Sequence, residues 1–113
     1  DFMDTPLRRG LLEVCTLAVL RREDSYGYRL VRDVGEIIPI TESTLYPILK
    51  RLEAAQMVGV YSVEHNGRLR KYFHLTDEGD ARIRRFLDEW KEVVRICRMI
   101  EEEQTDEGGR RHE

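Results

Sequence analysis

The stretch Ser43–Leu75, STLYPILKRLEAAQMVGVYSVEHNGRLRKYFHL, joins two patterns of different period. In its first third, Leu45, Ile48, Leu49 and Leu52 recur at three and four residues, the spacing of one helix face. Thr44, Tyr46, Pro47, Lys50, Arg51 and Ala54 are left outward. The remainder is two runs rich in Val, Tyr, Phe and Leu, Val58–His65 and Arg68–Leu75, separated by Asn66-Gly67. Asn-Gly is the strongest two-residue hairpin signal, because a type I′ turn needs positive φ at both central positions. That turn sets His65 opposite Arg68, Tyr61 opposite Tyr72 and Val60 opposite Phe73. Val58, Val60, Phe73 and Leu75 then share the face that must pack on helices. Arg68 and Arg70 point the other way, and Lys71 lies on the core side near the exposed tip.

Upstream, Leu7 to about Arg22 reads as a first helix, with Leu11, Val14, Cys15, Ala18 and Val19 at helical spacing. A second is expected over about Tyr26–Ile38, capped by Asp24 or Ser25 and ended by Pro39. Gly27 is expected to let helix backbones approach closely. Thr41 or Ser43 should cap the third helix, which runs to about Gln56 with Pro47 near its start, where a missing N–H costs least.

Downstream, Thr76 is a good cap for a last helix from Asp77 to about Glu103, with acids in its first turn to suit the macrodipole. Ile83, Trp90 and Cys97 are seven apart, as are Phe86, Val93 and Ile100, and Leu87 and Val94. Such a helix is about 40 Å long, whereas a body of about 75 residues is about 25 Å across. Half of it should project, and apolar surface of that extent usually finds cover. A second copy in two-fold symmetry is expected, with Leu7 and Leu11 of the first helix joining the stripe at the interface. The expected division is a body over 1–76, a dimerisation helix over 77–103 and a frayed polar tail over 104–113.

The 113 residues are 36% charged and hold no apolar run approaching a membrane span. No signal-peptide pattern opens the chain, and its first residues, Asp1-Phe2-Met3, point to a missing or altered start. Cys15 and Cys97 lie far apart without zinc-site spacing, so two buried thiols in a reducing cytoplasm are expected and no metal. The net charge of −3 is unevenly spread. Residues 43–76 carry Lys50, Arg51, Arg68, Arg70 and Lys71 against Glu53 and Glu64, a local +3 between acidic flanks. For phosphate contact the local field counts for more than the total. An enzyme finds no support: His65, His74 and His112 fit no nucleophile arrangement, and there is no phosphate-binding loop, CxxC pattern or cofactor motif.

Helix, helix, helix, hairpin and long helix, mainly α with a β-hairpin (α+β), is the order of a winged helix-turn-helix with a dimerisation helix appended. The third helix is then expected in a major groove of double-stranded DNA, with Thr44, Tyr46, Pro47 and Lys50 towards base edges or phosphates and Arg51 on a phosphate. The Asn66-Gly67 tip with Arg68, Arg70 and Lys71 would follow the backbone towards the minor groove, and a two-fold pair implies a palindromic operator. A protein-interaction module of the same fold is the alternative.

The chain resembles the PadR family of bacterial transcriptional regulators, in its short form with a single C-terminal helix. The resemblance rests on Tyr26-Gly27-Tyr28, on Thr44-Leu45-Tyr46-Pro47 with Leu49-Lys50-Arg51-Leu52-Glu53, on Gly67-Arg68 to Arg70-Lys71-Tyr72-Phe73, and on Leu75-Thr76-Asp77-Glu78-Gly79. Ser43 and Gln56 stand where the family often has glycine. The resemblance implies a homodimeric repressor that releases DNA when a small molecule binds or the dimer geometry changes. It also implies a cavity for flat hydrophobic compounds at the dimer interface, lined by Trp90, Leu87 and Val94 and closed by Val14 and Cys15. An ordinary interface anchor is the other reading of Trp90.

Overall fold

The structure, a computed structural model, describes residues 5–112, and the side-chain surroundings of 5–105. Thr5 caps α1 (Pro6–Arg22), its hydroxyl accepting the Arg8 N–H at 3.1 Å. There follow β1 (Ser25–Tyr26), α2 (Gly27–Gly35), α3 (Glu42–Ala54), β2 (Val58–His65), β3 (Arg68–Leu75) and α4 (Asp77–His112). The strands form an antiparallel sheet in the order β1-β3-β2.

The hairpin has the register its turn demands: His65 pairs with Arg68, Tyr61 with Tyr72 and Val60 with Phe73. The third strand departs from expectation. Ser25 and Tyr26, expected as a cap and a first helical residue, pair instead with Phe73 and Tyr72. Ser25 is buried in the row of Phe73 and Val60, and its hydroxyl accepts from Arg29 Nε at 2.9 Å. Ser25 stands in the strand rather than at the helix start, and α2 begins at Gly27 from an extended Tyr26 with no side-chain cap. α2 also ends early. The N–H groups of Ile37 and Ile38 both turn back to the Val34 carbonyl, so the helix has closed before Pro39 is reached.

α3 keeps its buried stripe of Leu45, Ile48, Leu49 and Leu52. Pro47 lies inside the helix rather than near its start, so the ladder lacks the N–H that would have bonded the Ser43 carbonyl. Thr41 is the N-cap residue by backbone geometry, but its hydroxyl pairs with those of Ser43 and Thr44 instead of capping. α3 ends in a Schellman arrangement: Gln56 N–H donates to the Glu53 carbonyl and Met57 N–H to that of Leu52, both at 2.9 Å. Gln56 takes φ 61 to do so.

The core gathers Leu12, Leu17, Val19 and Leu20 of α1, Leu30 and Val34 of α2, the α3 stripe, Val58, Phe73 and Ile83. Arg8 lies in it at 2% exposure and donates from Nη2 to the Pro39 carbonyl at 2.7 Å, fastening α1 to the loop before α3. Thr76 joins α3 to α4. Its N–H donates to the Met57 carbonyl at 3.2 Å and its hydroxyl to that of Gln56 at 2.7 Å. The same hydroxyl accepts the Gly79 N–H at 3.1 Å, the expected cap of α4. Gly79 is buried so close to this junction that a Cβ there would lie 2.2 Å from the Met57 carbonyl oxygen.

The chain divides into two compact units, one ending at Ile83 and one starting at Arg84. The boundary falls inside α4, because Ile83 is a core residue of the first unit at 2% exposure. Its expected place in a dimer interface is therefore corrected. The second unit is helix throughout its described backbone, supported by the Asp88–Lys91 and Glu92–Arg95 pairs at 3.5 and 3.0 Å. The helix continues to His112, so the polar tail expected to fray from 104 is helical as far as it is described. Among the described residues no helix is long and apolar enough to cross a membrane.

Candidate nucleic-acid interface

The outward face of α3 is as its period demands. Tyr46, Pro47, Lys50 and Arg51 are exposed, and Thr44 is half-buried. Tyr46 is 42% exposed because its ring leans on the start of α2: a Cβ at position 27 would lie 2.8 Å from Tyr46 Cε1. The close approach at Gly27 is thus made by a side chain rather than by a second helix backbone.

The hairpin tip takes φ 52 at Asn66 and φ 77 at Gly67, the positive pair of a type I′ turn. Arg68 and Lys71 are exposed and Arg70 is half-buried. The five cations differ in their surroundings. Arg51 reaches Glu13 of α1 at 3.4 Å and Lys71 reaches Glu53 of α3 at 3.6 Å. Arg70 lies over the Tyr26 ring, 4.1 Å from its centroid. Among the described residues, no carboxylate stands within ion-pair distance of Lys50 or Arg68. Exposed ion pairs of this length are worth little in water and yield readily to a phosphate.

Sequence reading missed what stiffens the base of the hairpin. Tyr26, Tyr72 and Tyr61 lie side by side across the sheet, with ring centroids 5.5 and 5.6 Å apart. Tyr61 donates its phenol proton to Asp24 Oδ2 at 2.6 Å, and this hydrogen bond, with smaller contributions from desolvation and nearby charge, raises the phenol above its ordinary pKa. Arg29 donates from Nη2 to the Asp24 carbonyl and lies 3.8 Å from Glu23. The one signal in the sequence was that Tyr61 and Tyr72 face each other; the part of Tyr26 depends on β1. Leu69, beside the tip, is 78% exposed and was likewise not singled out.

The residues proposed for a ligand fall in different units. Val14 is buried and Cys15 packs against the core of the first unit, where burial pushes the thiol up from its usual pKa. Leu87, Trp90 and Val94 belong to the second. There Phe86 stacks on Trp90 at 5.9 Å, and Leu87, Trp90, Val93 and Ile100 are exposed with Cys97, while Val94 is half-buried. Ile96 and Met99 are exposed as well and widen the stripe beyond the residues expected at seven-residue spacing. Of the α1 residues expected at an interface, Leu7 is exposed and Leu11 half-buried.

Compared with known proteins, residues 16–85 match the model of the transcriptional regulator PadR-like family. A crystal structure from Streptococcus mutans is 43% identical, with a TM-score of 0.70 over 81% of this chain and 87% of that one. A PadR-like transcription factor from Bacteroides fragilis is 30% identical, with a TM-score of 0.76 over 88% and 99%. Bacillus subtilis PadR, solved in complex with operator DNA, is 23% identical over 68% of this chain and 46% of its own, with a TM-score of 0.63, and shares the fold.

Proposed function

The chain belongs to the transcriptional regulator PadR-like family, and from that premise we propose that it is a homodimeric repressor holding a palindromic operator with α3 and the β2–β3 hairpin. The observation that carries this reading is the gathering of cations on the outward face of α3 and on the hairpin, between acidic flanks. The operator complex of Bacillus subtilis PadR, which has the same fold, supports it. In this reading the winged helix-turn-helix, with the first turns of α4, is the DNA-binding part, and the rest of α4 is the dimerisation helix. Thr44, Tyr46, Pro47 and Lys50 face the major groove. Asn66, Gly67, Arg68 and Arg70 follow the backbone beyond it, and Arg51 and Lys71 reach phosphates by leaving Glu13 and Glu53. Such a regulator works in the cytoplasm, where the DNA is.

The stripe of Leu87, Trp90, Val93 and Ile100 supports pairing of two chains along α4. A flat hydrophobic ligand beside Trp90 would regulate only by binding two dimer geometries unequally.

The test is the salt dependence of binding to a duplex from the chain's own upstream region. Affinity should fall steeply between low and moderate salt, by about 0.9 in the log–log slope per phosphate neutralised. Lys50→Ala and Arg70→Ala should each weaken binding and flatten the slope by about 1. A flat salt response, or no effect of either substitution, would refute the reading.

A further inference from the structure

Leu69 is the most exposed large apolar side chain among the described residues, at 78%. A lone exposed leucine calls for no explanation; its setting does. Strand alternation puts it on the face of β3 that carries Lys71 and Phe73, opposite Glu64. Phe73 is buried in the core, and Lys71 crosses to Glu53 of α3 at 3.6 Å. That contact turns this face of the hairpin towards α3, and Leu69 is the next residue out along it. It stands four residues beyond Phe73, about 13 Å at the rise of a strand. Arg68 and Arg70 flank it on the opposite face, so the leucine sits among three cations and one carboxylate, Glu64. The positive φ pair at Asn66 and Gly67 closes the tip, and the stacked rings of Tyr61 and Tyr72 brace the ribbon below.

We propose that Leu69 is a wedge, pressed into the minor groove between two base pairs of the operator. The proposal rests on the operator-binding reading of the hairpin and names the residue that opens the groove. An apolar protein partner would have to bury the surrounding cations at a cost, whereas a polyanion neutralises them as the leucine enters. Reach and width agree. The minor groove is about 7.5 Å deep and about 6 Å wide. The tip stands far enough from the core to touch the groove floor. Strands about 4.8 Å apart between backbones, with side chains on both faces, do not fit the groove as it stands. An apolar side chain forced between base pairs unstacks them and kinks the duplex towards the major groove, which opens the minor one. Pyrimidine–purine steps yield most easily. The hairpin, whose cations on phosphates read no sequence, gains a preference for such a step through Leu69.

The experiment uses the full chain and the duplex from its own upstream region. In permanganate footprinting, a thymine in each half-site, outside the stretch under α3, should become reactive when the protein binds. Leu69→Ala should abolish that reactivity and Leu69→Phe should keep it. Leu69→Ala should also weaken binding about tenfold, the lower end of what burying a leucine is worth. The salt slope should not change, because no charge is lost. Replacing the reactive step by ApA should weaken the wild type and leave Leu69→Ala unaffected. Because Leu69 lies outside the core, these variants should melt as the wild type does. Salt-dependent binding with no reactive thymine, with full affinity in Leu69→Ala, or with a slope that flattens in Leu69→Ala overturns the wedge and leaves the operator reading intact. A wild type that holds no duplex refutes both. A DNA-free Leu69→Ala chain that sediments differently from the wild type assigns the leucine to a contact between chains and overturns the wedge as well.

Discussion

Gln56 holds φ 61, a conformation that costs an L-residue about 1–2 kcal/mol and that glycine adopts freely. It stays there because its surroundings over-determine it. Its N–H closes the end of α3 on Glu53, the next N–H closes on Leu52, and its carbonyl receives the Thr76 hydroxyl. All three bonds are made by backbone atoms of Gln56 or its neighbour, so the side chain contributes none of them. Gln56→Gly should therefore stabilise the protein by about 0.5–1 kcal/mol, after the greater freedom of glycine in the unfolded chain is subtracted. A rise in the urea midpoint at unchanged slope would report it; an unchanged midpoint would mean the strain is already relieved. The position was visible in the sequence as a departure from the family's glycine, although the hydrogen bonds that make it tolerable were not.

The elements differ in how far the sequence disclosed them. The hairpin register was legible because Asn66-Gly67 admits one two-residue turn, and a slip by one would turn Val58, Val60, Phe73 and Leu75 away from the core. The α3 stripe was legible for the same kind of reason, since its period leaves a single face apolar. β1 was not. Two residues carry no period, and Ser25-Tyr26 reads equally well as the approach to a helix; only the distant partner β3 decides between them. Arg8 was hidden because an arginine ordinarily marks a surface, yet its guanidinium reaches a backbone carbonyl within the core. In the candidate site the cations were legible and their partners were not, since Glu13 comes to Arg51 from another helix through packing alone. That partnership gives a prediction at this scale. Glu13→Gln should free Arg51, tighten operator binding a few-fold at low salt and steepen the salt slope by up to about 0.9. An unchanged slope would remove Arg51 from the DNA contacts.

For the molecule as a whole, the proposed pairing of two chains rests on the second unit, whose exposed apolar side chains run from Leu87 to Ile100. A carboxylate placed in the middle of that stripe should oppose pairing without breaking the helix. Val93→Glu is expected to convert a dimer to a monomer in sedimentation at unchanged helical content by circular dichroism. Operator affinity should then drop by about a hundredfold or more, because two linked half-site contacts become one. A Val93→Glu chain that still sediments as a dimer would move the interface off this stripe. The first unit holds a different freedom. Thr76 bonds to Gln56 and Met57, so the two ends of the hairpin are closed on each other where it leaves and rejoins the fold. That closure joins the end of α3 to the start of α4. Beyond Tyr61 and Tyr72 the ribbon can lengthen or shorten by one cross-strand pair at a time and leave the core pairs Val58–Leu75 and Val60–Phe73 in register. Its reach across a bound duplex is therefore the dimension of this protein most open to retuning by insertion and deletion.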